Sequence, residues 1–165
     1  MKKKLISLVL AGVMVLGMAG CAEKPGASEE SGEKESKGSK YELALITDVG
    51  TIDDKSFNQG SWEGLKKYAD ENDITCKYYK PSEKSDKACL TAIDLAVKGG
   101  AKVIVTPGFL FERPIFEAQT KYPDTKFVIV DAAPVEGEGK APDIKDNVLS
   151  IFYAEEQAGY LAGYA

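Results

Sequence analysis

Three residues, Asp48, Gly108 and Asp131, stand where apolar, β-prone runs give way to polar or flexible sequence, and two more, Phe57 and Asn58, stand at the start of the helix expected after the first of these runs. In open α/β sheets, ligands collect outside the carboxyl ends of the strands, so these positions are where chemistry is expected. Asp48 follows YELALIT and Asp131 follows FVIV. With no cation beside them in sequence, two such carboxylates can accept hydrogen bonds from hydroxyls of the kind a sugar or ribose presents. Each also fits an ordinary loop or cap residue. Phe57 falls about a third of a turn from the Trp62, Leu65 and Ala69 stripe of its expected helix, so the helix's own packing does not bury it. An aromatic there can stack on a planar ring while the Asn58 amide reads that ring's polar edge. The competing reading makes Phe57 a hydrophobic staple, or packs it on the loop. Gly108 closes a Thr106-Pro107-Gly108 stop after a third strand.

The same residues argue against catalysis. The sequence contains no His, which removes the commonest general base and metal ligand. The first strand-to-helix turn, Asp48-Val49-Gly50-Thr51-Ile52, carries neither Gly-x-Gly-x-x-Gly nor Gly-Lys-Ser/Thr, so a phosphate cradle lacks its parts. Asp53-Asp54 is read as a turn and helix start rather than a metal or acid pair. No Cys-x-x-Cys exists, and Cys76 and Cys89 are expected as two buried thiols rather than a disulfide. The expectation is therefore a binding protein with no catalytic residue, no metal and no cofactor. Net charge is −5 over 165 residues, and loss of Lys2, Lys3 and Lys4 with a leader leaves 18 bases against 26 acids. A surface that acidic repels nucleic acid, so none is expected as a partner.

Residues 1–20 read as a secretory leader: a basic start, then the uncharged run LISLVLAGVMVLGMAG. The run is shorter than a membrane span usually needs and ends against Cys21. Met18-Ala19-Gly20-Cys21 resembles the bacterial lipobox, which makes Cys21 the expected lipidation (palmitate-type) site and the mature N-terminus. Two or more acyl chains anchor a protein stably where one is marginal. Residues 21–40 turn to Ser, Glu, Lys and Gly with nothing to bury, as in a disordered tether.

From residue 41 to 165 strands and helices alternate. Strands are expected at 41–47, 75–79, 102–106, 127–130 and 148–153. Helices are expected from Ser56 to about Asn72, with Ser56 and Gln59 as a capping box, then over 85–98, to about Tyr122 through Pro114, and over 155–165. A long loop bearing Gly and Pro occupies 132–147. Nearly continuous apolar strands in this order predict a doubly wound parallel α/β sandwich. The last helical pattern stops at Tyr164-Ala165 without a cap, as if truncated.

The blocks DVGTIDDKSFNQGSWEGLKKYADEN, VIVTPGFLFE, KFVIVDA and EEQAGYLAGY, in that order, closely resemble the basic membrane protein family of ABC-transporter solute-binding lipoproteins, which includes purine-nucleoside receptors. The resemblance implies the first lobe of a type I periplasmic-binding fold, an ABC permease as partner, and an extracytoplasmic, lipid-anchored location. It further implies Asp48 and Asp131 holding ribose hydroxyls, Phe57 stacking on the base, Asn58 at its edge, and Gly108 allowing close backbone approach. In that family a second lobe, absent from these residues, brings another aromatic onto the ligand. A sensory or surface lipoprotein that binds a sugar or other signal, and less so a nucleotide-dependent enzyme, are the competing readings.

Overall fold

The computed structural model describes residues 41–164; the leader, Cys21 and the tether lie outside the described residues. Five strands form one parallel sheet: β1 (Leu43–Ile46), β2 (Cys76–Tyr79), β3 (Val103–Pro107), β4 (Lys126–Val130) and β5 (Val148–Ile151). Their spatial order is β2-β1-β3-β4-β5. The helices are α1 (Phe57–Glu71), α2 (Asp86–Lys98), α3 (Glu112–Lys121) and α4 (Glu155–Tyr164). This is the doubly wound α/β arrangement that the apolar runs predict.

The sheet forms because β1 (LALI) buries every side chain, as a parallel strand covered on both faces must. Alternation sends Ala44 and Ile46 to one face and Leu43 and Leu45 to the other. Ala44 and Ile46 join Ile104, Phe127 and Ile129 in a core with Cys89, Ile93 and Ala96 of α2 and Ile115 and Ala118 of α3. Right-handed crossovers explain why α2 and α3 share that face while α1 takes the opposite one. Fully burying a side chain such as Ile104 or Ile115 contributes about 1.5–3 kcal/mol. Cys76 and Cys89 form no disulfide, as expected, but only Cys89 is buried; Cys76, on the outer strand β2, is half-buried rather than buried.

α2 has clean ends. The Ser85 hydroxyl accepts from the Ala88 N–H (3.2 Å), the usual N-cap bond. At the other end Ala101 N–H returns to Ala96 O and Gly100 N–H to Val97 O, with Gly100 at φ 99°. This is a Schellman turn, which needs the left-handed conformation glycine adopts freely.

α1 starts differently from the expected capping box. Ser56 makes no side-chain cap bond. Asp54 replaces it: its Oδ1 accepts from the N–H groups of Ser56 (2.8 Å) and Gln59 (3.1 Å). Gln59 Oε1 instead accepts from Lys55 N–H (2.9 Å). A carboxylate at the positive end of a helix outcompetes a hydroxyl, so Asp54 takes the helix-start role. The α1 stripe is also shallower than its spacing implies: Ala69 is buried, while Trp62 and Leu65 are half-buried. Trp62 meets Tyr78 edge-on, with centroids 5.4 Å apart.

Other boundaries move as well. β3 runs through Pro107, and a 3-10 turn at Phe109–Phe111 precedes α3, seating Phe111 in the core. β5 ends at Ile151 rather than at residue 153. The 132–147 loop is pinned rather than loose. Asn147 Nδ2 donates to the carbonyls of Gln119, Tyr122 and Thr125, and Gln119 Nε2 donates to Asp143 O.

Candidate binding site at the strand ends

β1 and β3 are neighbours, but the chain leaves β1 toward β2 on one side and β3 toward β4 on the other. That divergence opens a crevice at their carboxyl ends, the usual ligand position in such sheets. Asp48 follows β1 and Gly108 follows β3, so the two flank it.

The β1–α1 corner is wired through Asn58. Its Nδ2 donates to Asp48 Oδ1 (2.6 Å) and Asp54 Oδ2 (2.8 Å), and its Oδ1 accepts from Asp48 N–H (3.1 Å). Gly50 N–H also donates to Asp48 Oδ1. The network closes so tightly over Gly50 that a Cβ there would lie 2.6 Å from Asn58 Nδ2. Burial pushes the Asp54 carboxyl up, but the bonds from Gln59, Ser56 and Asn58 outweigh it and hold its pKa below the ordinary value. The Asp48 side chain, half-buried, also lines a cavity of about 170 Å³ with Pro81, Ser85, Asp86, Cys89 and Leu110. Burial, then Asp86 and Asp48, push the Cys89 thiol up to about 11, so it stays protonated.

In this geometry Asn58 is bonded within the protein. The side chain is 1% exposed and both its amide hydrogens are spent on carboxylates. It braces Asp48 against the head of α1. The residue beside it behaves oppositely. Phe57, at the head of α1, is 44% exposed and its ring stacks on Tyr153, with centroids 6.2 Å apart and planes 13° from parallel. It is neither sealed in the core nor folded under the loop.

Gly108 has φ 93° and ψ 169°, a conformation open to glycine alone, and donates its N–H to Val130 O (2.8 Å). No atom lies within 4 Å of where its Cβ would be, so the backbone faces open space. Asp131, at the end of β4, sits at φ 60°, which Asp tolerates better than most residues. Its N–H donates to Ile151 O (2.7 Å), tying it to β5. A side-chain hydrogen bond with Glu155 raises the Asp131 pKa, with burial and the Glu155 charge adding to the effect.

All five residues therefore lie along one edge of the sheet, linked in two groups. Asn58 joins Asp48 to the head of α1, and Val130 and Ile151 tie Gly108 and Asp131 to the β5 end. Three contributors escape sequence reasoning: Gly50, Tyr153 and Glu155. Tyr153 lies two residues beyond the end of β5, but the apolar run SIFY merged it into the expected strand. Gly50 is legible only as part of the flexible Asp48-Val49-Gly50 stop, and Glu155 only as the start of the last helix.

Among the described residues no cluster of His, Cys, Asp or Glu could hold a metal ion. This end of the sheet carries the carboxylates of Asp48 and Asp131, the half-exposed Phe57 ring and the open backbone at Gly108.

A family model described as ABC transporter substrate-binding protein PnrA-like matches residues 41–165. A CD4+ T-cell-stimulating antigen of Listeria innocua is 32% identical over 162 residues, 96% of this chain and 42% of that protein. The ABC transporter nucleoside-binding protein BmpA of Lactococcus lactis is 33% identical over 174 residues, 100% of this chain and 44% of its own length. Among solved structures, an ABC transporter solute-binding protein from Aeropyrum pernix superposes with a TM-score of 0.63 at 27% identity, over 74% of this chain and 31% of that one. This chain thus spans less than half the length of the curated relatives it matches. On the family match across residues 41–165, the chain belongs to the Bmp family of PnrA-like ABC transporter substrate-binding proteins.

Proposed function

We propose that this chain supplies the purine-nucleoside-receiving lobe of an extracytoplasmic solute-binding lipoprotein, which hands its ligand to an ABC permease and performs no reaction on it. The observation that carries this reading is Phe57: an aromatic at a helix head, half-exposed, on the same sheet edge as Asp48 and Asp131. A nucleoside is a flat ring joined to a hydroxylated sugar. Phe57 would take the ring, the two carboxylates the ribose hydroxyls, and Gly108 would let the backbone approach closely. Asn58 would act through Asp48, fixing the carboxylate that meets the sugar. The nucleoside-binding name of the lactococcal relative supports the same ligand class. Membrane attachment would come from lipid on Cys21, for which the small residues preceding that cysteine and the apolar leader speak.

Calorimetry of the mature chain with guanosine, inosine, ribose and a panel of other sugars tests the reading. Heat with the nucleosides and none with the sugars is the expected result. Sugar binding without nucleoside binding would transfer the site to a sugar sensor, and chemical conversion of the ligand would make the protein an enzyme.

A further inference from the structure

The turn after the first strand of a parallel sheet leads into a helix head, where backbone N–H groups and the helix dipole favour a negative charge. α1 supplies such a head beside Asp48, but it is not vacant. Asp54 Oδ1 already accepts from the Ser56 and Gln59 N–H groups, and the Asn58 N–H adds to them. Lys55 N–H is taken by Gln59 Oε1, and the other Asp54 oxygen is held by Asn58 Nδ2. The position that receives phosphate in many α/β sites is filled here by the protein's own carboxylate.

The surrounding charge reinforces the block. Asp48 and Asp54 stand on either side of one Asn58 nitrogen, at 2.6 and 2.8 Å, and Asp53, bonded to the Thr51 hydroxyl, lies in the same turn. From residue 48 to 58 three acids face one base, the exposed Lys55. The bonds to Asp54 outweigh its burial and keep its pKa low, so it is charged at neutral pH. A sugar hydroxyl meets no penalty here, because an ionised carboxylate accepts hydrogen bonds. A phosphate on the same sugar would bring a charge of about −1.5 to −2 within a Debye length, ~8 Å at physiological ionic strength, of Asp48 and Asp54.

We propose that Asp54 is a specificity-determining residue that makes this edge reject phosphorylated ligands: its carboxylate fills the head of α1, where a phosphate would otherwise sit, and confines the site to uncharged solutes. The inference rests on the nucleoside reading and narrows it to ligands without phosphate. Discrimination of this kind comes from a repulsion built against the wrong ligand rather than from a closer fit to the right one.

Calorimetry of the full chain with guanosine and with guanosine monophosphate, at low and high salt, tests the assignment. The parent should bind guanosine and take the monophosphate far more weakly, with the gap narrowing as salt rises. Asp54→Asn keeps a capping oxygen and removes the charge, so it should narrow the gap about tenfold and weaken its salt dependence. Asp54→Ser, a second uncharged cap, should do the same. A partly unfolded variant loses both ligands alike, so the ratio of the two affinities reads exclusion apart from stability. Asp53→Asn removes an equal charge that is engaged with Thr51 rather than with the helix head, and should change the ratio by less than about twofold. A ratio unchanged in both Asp54 variants, or narrowed as much by Asp53→Asn, would overturn the inference while leaving guanosine binding in place. A parent that binds the monophosphate as tightly as guanosine would overturn it outright. No guanosine binding by the parent would remove the nucleoside reading and the exclusion with it.

Discussion

The two corners of the sheet edge are built on opposite principles. At the β1–α1 corner, Asp48, Gly50, Asp54 and Asn58 consume one another's hydrogen bonds, and a single methyl added at Gly50 would collide with the network. At the β4–β5–α4 corner, Asp131 meets another acid, Tyr153 meets Phe57 only through ring faces, and α4 buries no residue. The first corner fixes geometry and the second leaves surfaces for something else to cover. A binding edge gains from both: a rigid acceptor whose position costs nothing to organise, and a partner face able to adjust.

The largest expected effect of breaking the contrast falls on the wired corner. Asn58→Ala removes the only donor between the Asp48 and Asp54 carboxylates and strips the Asp48 N–H of its acceptor. Both carboxylates keep backbone donors, from Gly50 and from Ser56 and Gln59, but the Asp48 N–H loses its acceptor and two charge-assisted bonds go with the buried amide, so a stability loss of about 2–3 kcal/mol is expected in urea unfolding. A loss under about 0.5 kcal/mol, the usual range for surface changes, would show that the bracket is decorative.

Phe57→Ala, one residue away, should behave in the reverse sense. The ring is half-exposed, so stability should change by no more than about 0.5 kcal/mol. Nucleoside affinity should fall by about 1–3 kcal/mol, the scale of base-aromatic stacking. Calorimetry of the variant beside its urea curve reads both quantities. A large stability loss with unchanged affinity would make Phe57 a packing residue and reverse the assignment of the two neighbours.

That pair also explains what could and could not be read from the amino acids. Strands and their order follow from LALI, VIV and FVIV because burial on both faces leaves no room for polar residues, and that pattern is local. The end of each strand is local too, so Asp48, Gly108 and Asp131 could be located. Whether Phe57 or Asn58 points outward is not local. Both sit at the head of α1, and the answer depends on Asp54, four residues before Asn58, winning the cap from Ser56. Ser-x-x-Gln is a generic spacing that an acidic neighbour overrides. Tyr153 escaped because its contact with Phe57 joins residues far apart in the chain and leaves no periodic trace.

The two corners should also answer acid differently. The Asp54 pKa is lowered by folding, so its contribution is complete above the ordinary value of 3.8 and is lost as pH falls through the lower folded value. Asp54→Asn should therefore be less stable than the parent at neutral pH, with the gap closing only below about pH 3.8 in urea midpoints. A gap independent of pH down to the acid limit would mean that the charge on Asp54 plays no part in starting α1.

Asp131 gives the smallest effect and the opposite sign. Its pKa is raised by the hydrogen bond with Glu155, by burial and by that residue's charge. A raised carboxyl contributes stability that is present below 3.8 and disappears as pH rises through the folded value, where two like charges face each other. Glu155→Gln removes the repulsion and keeps a hydrogen-bonding side chain. At neutral pH the variant should be slightly more stable than the parent, and acidification to below about pH 3.8 should erase the advantage. The group is open to solvent, so added salt should shrink the advantage as well, which separates a charge effect from a change in the shape of α4. An advantage that survives both acid and salt would show that Glu155 acts on α4 rather than on Asp131. The exposed corner would then owe its character to helix propensity instead of to the meeting of two acids.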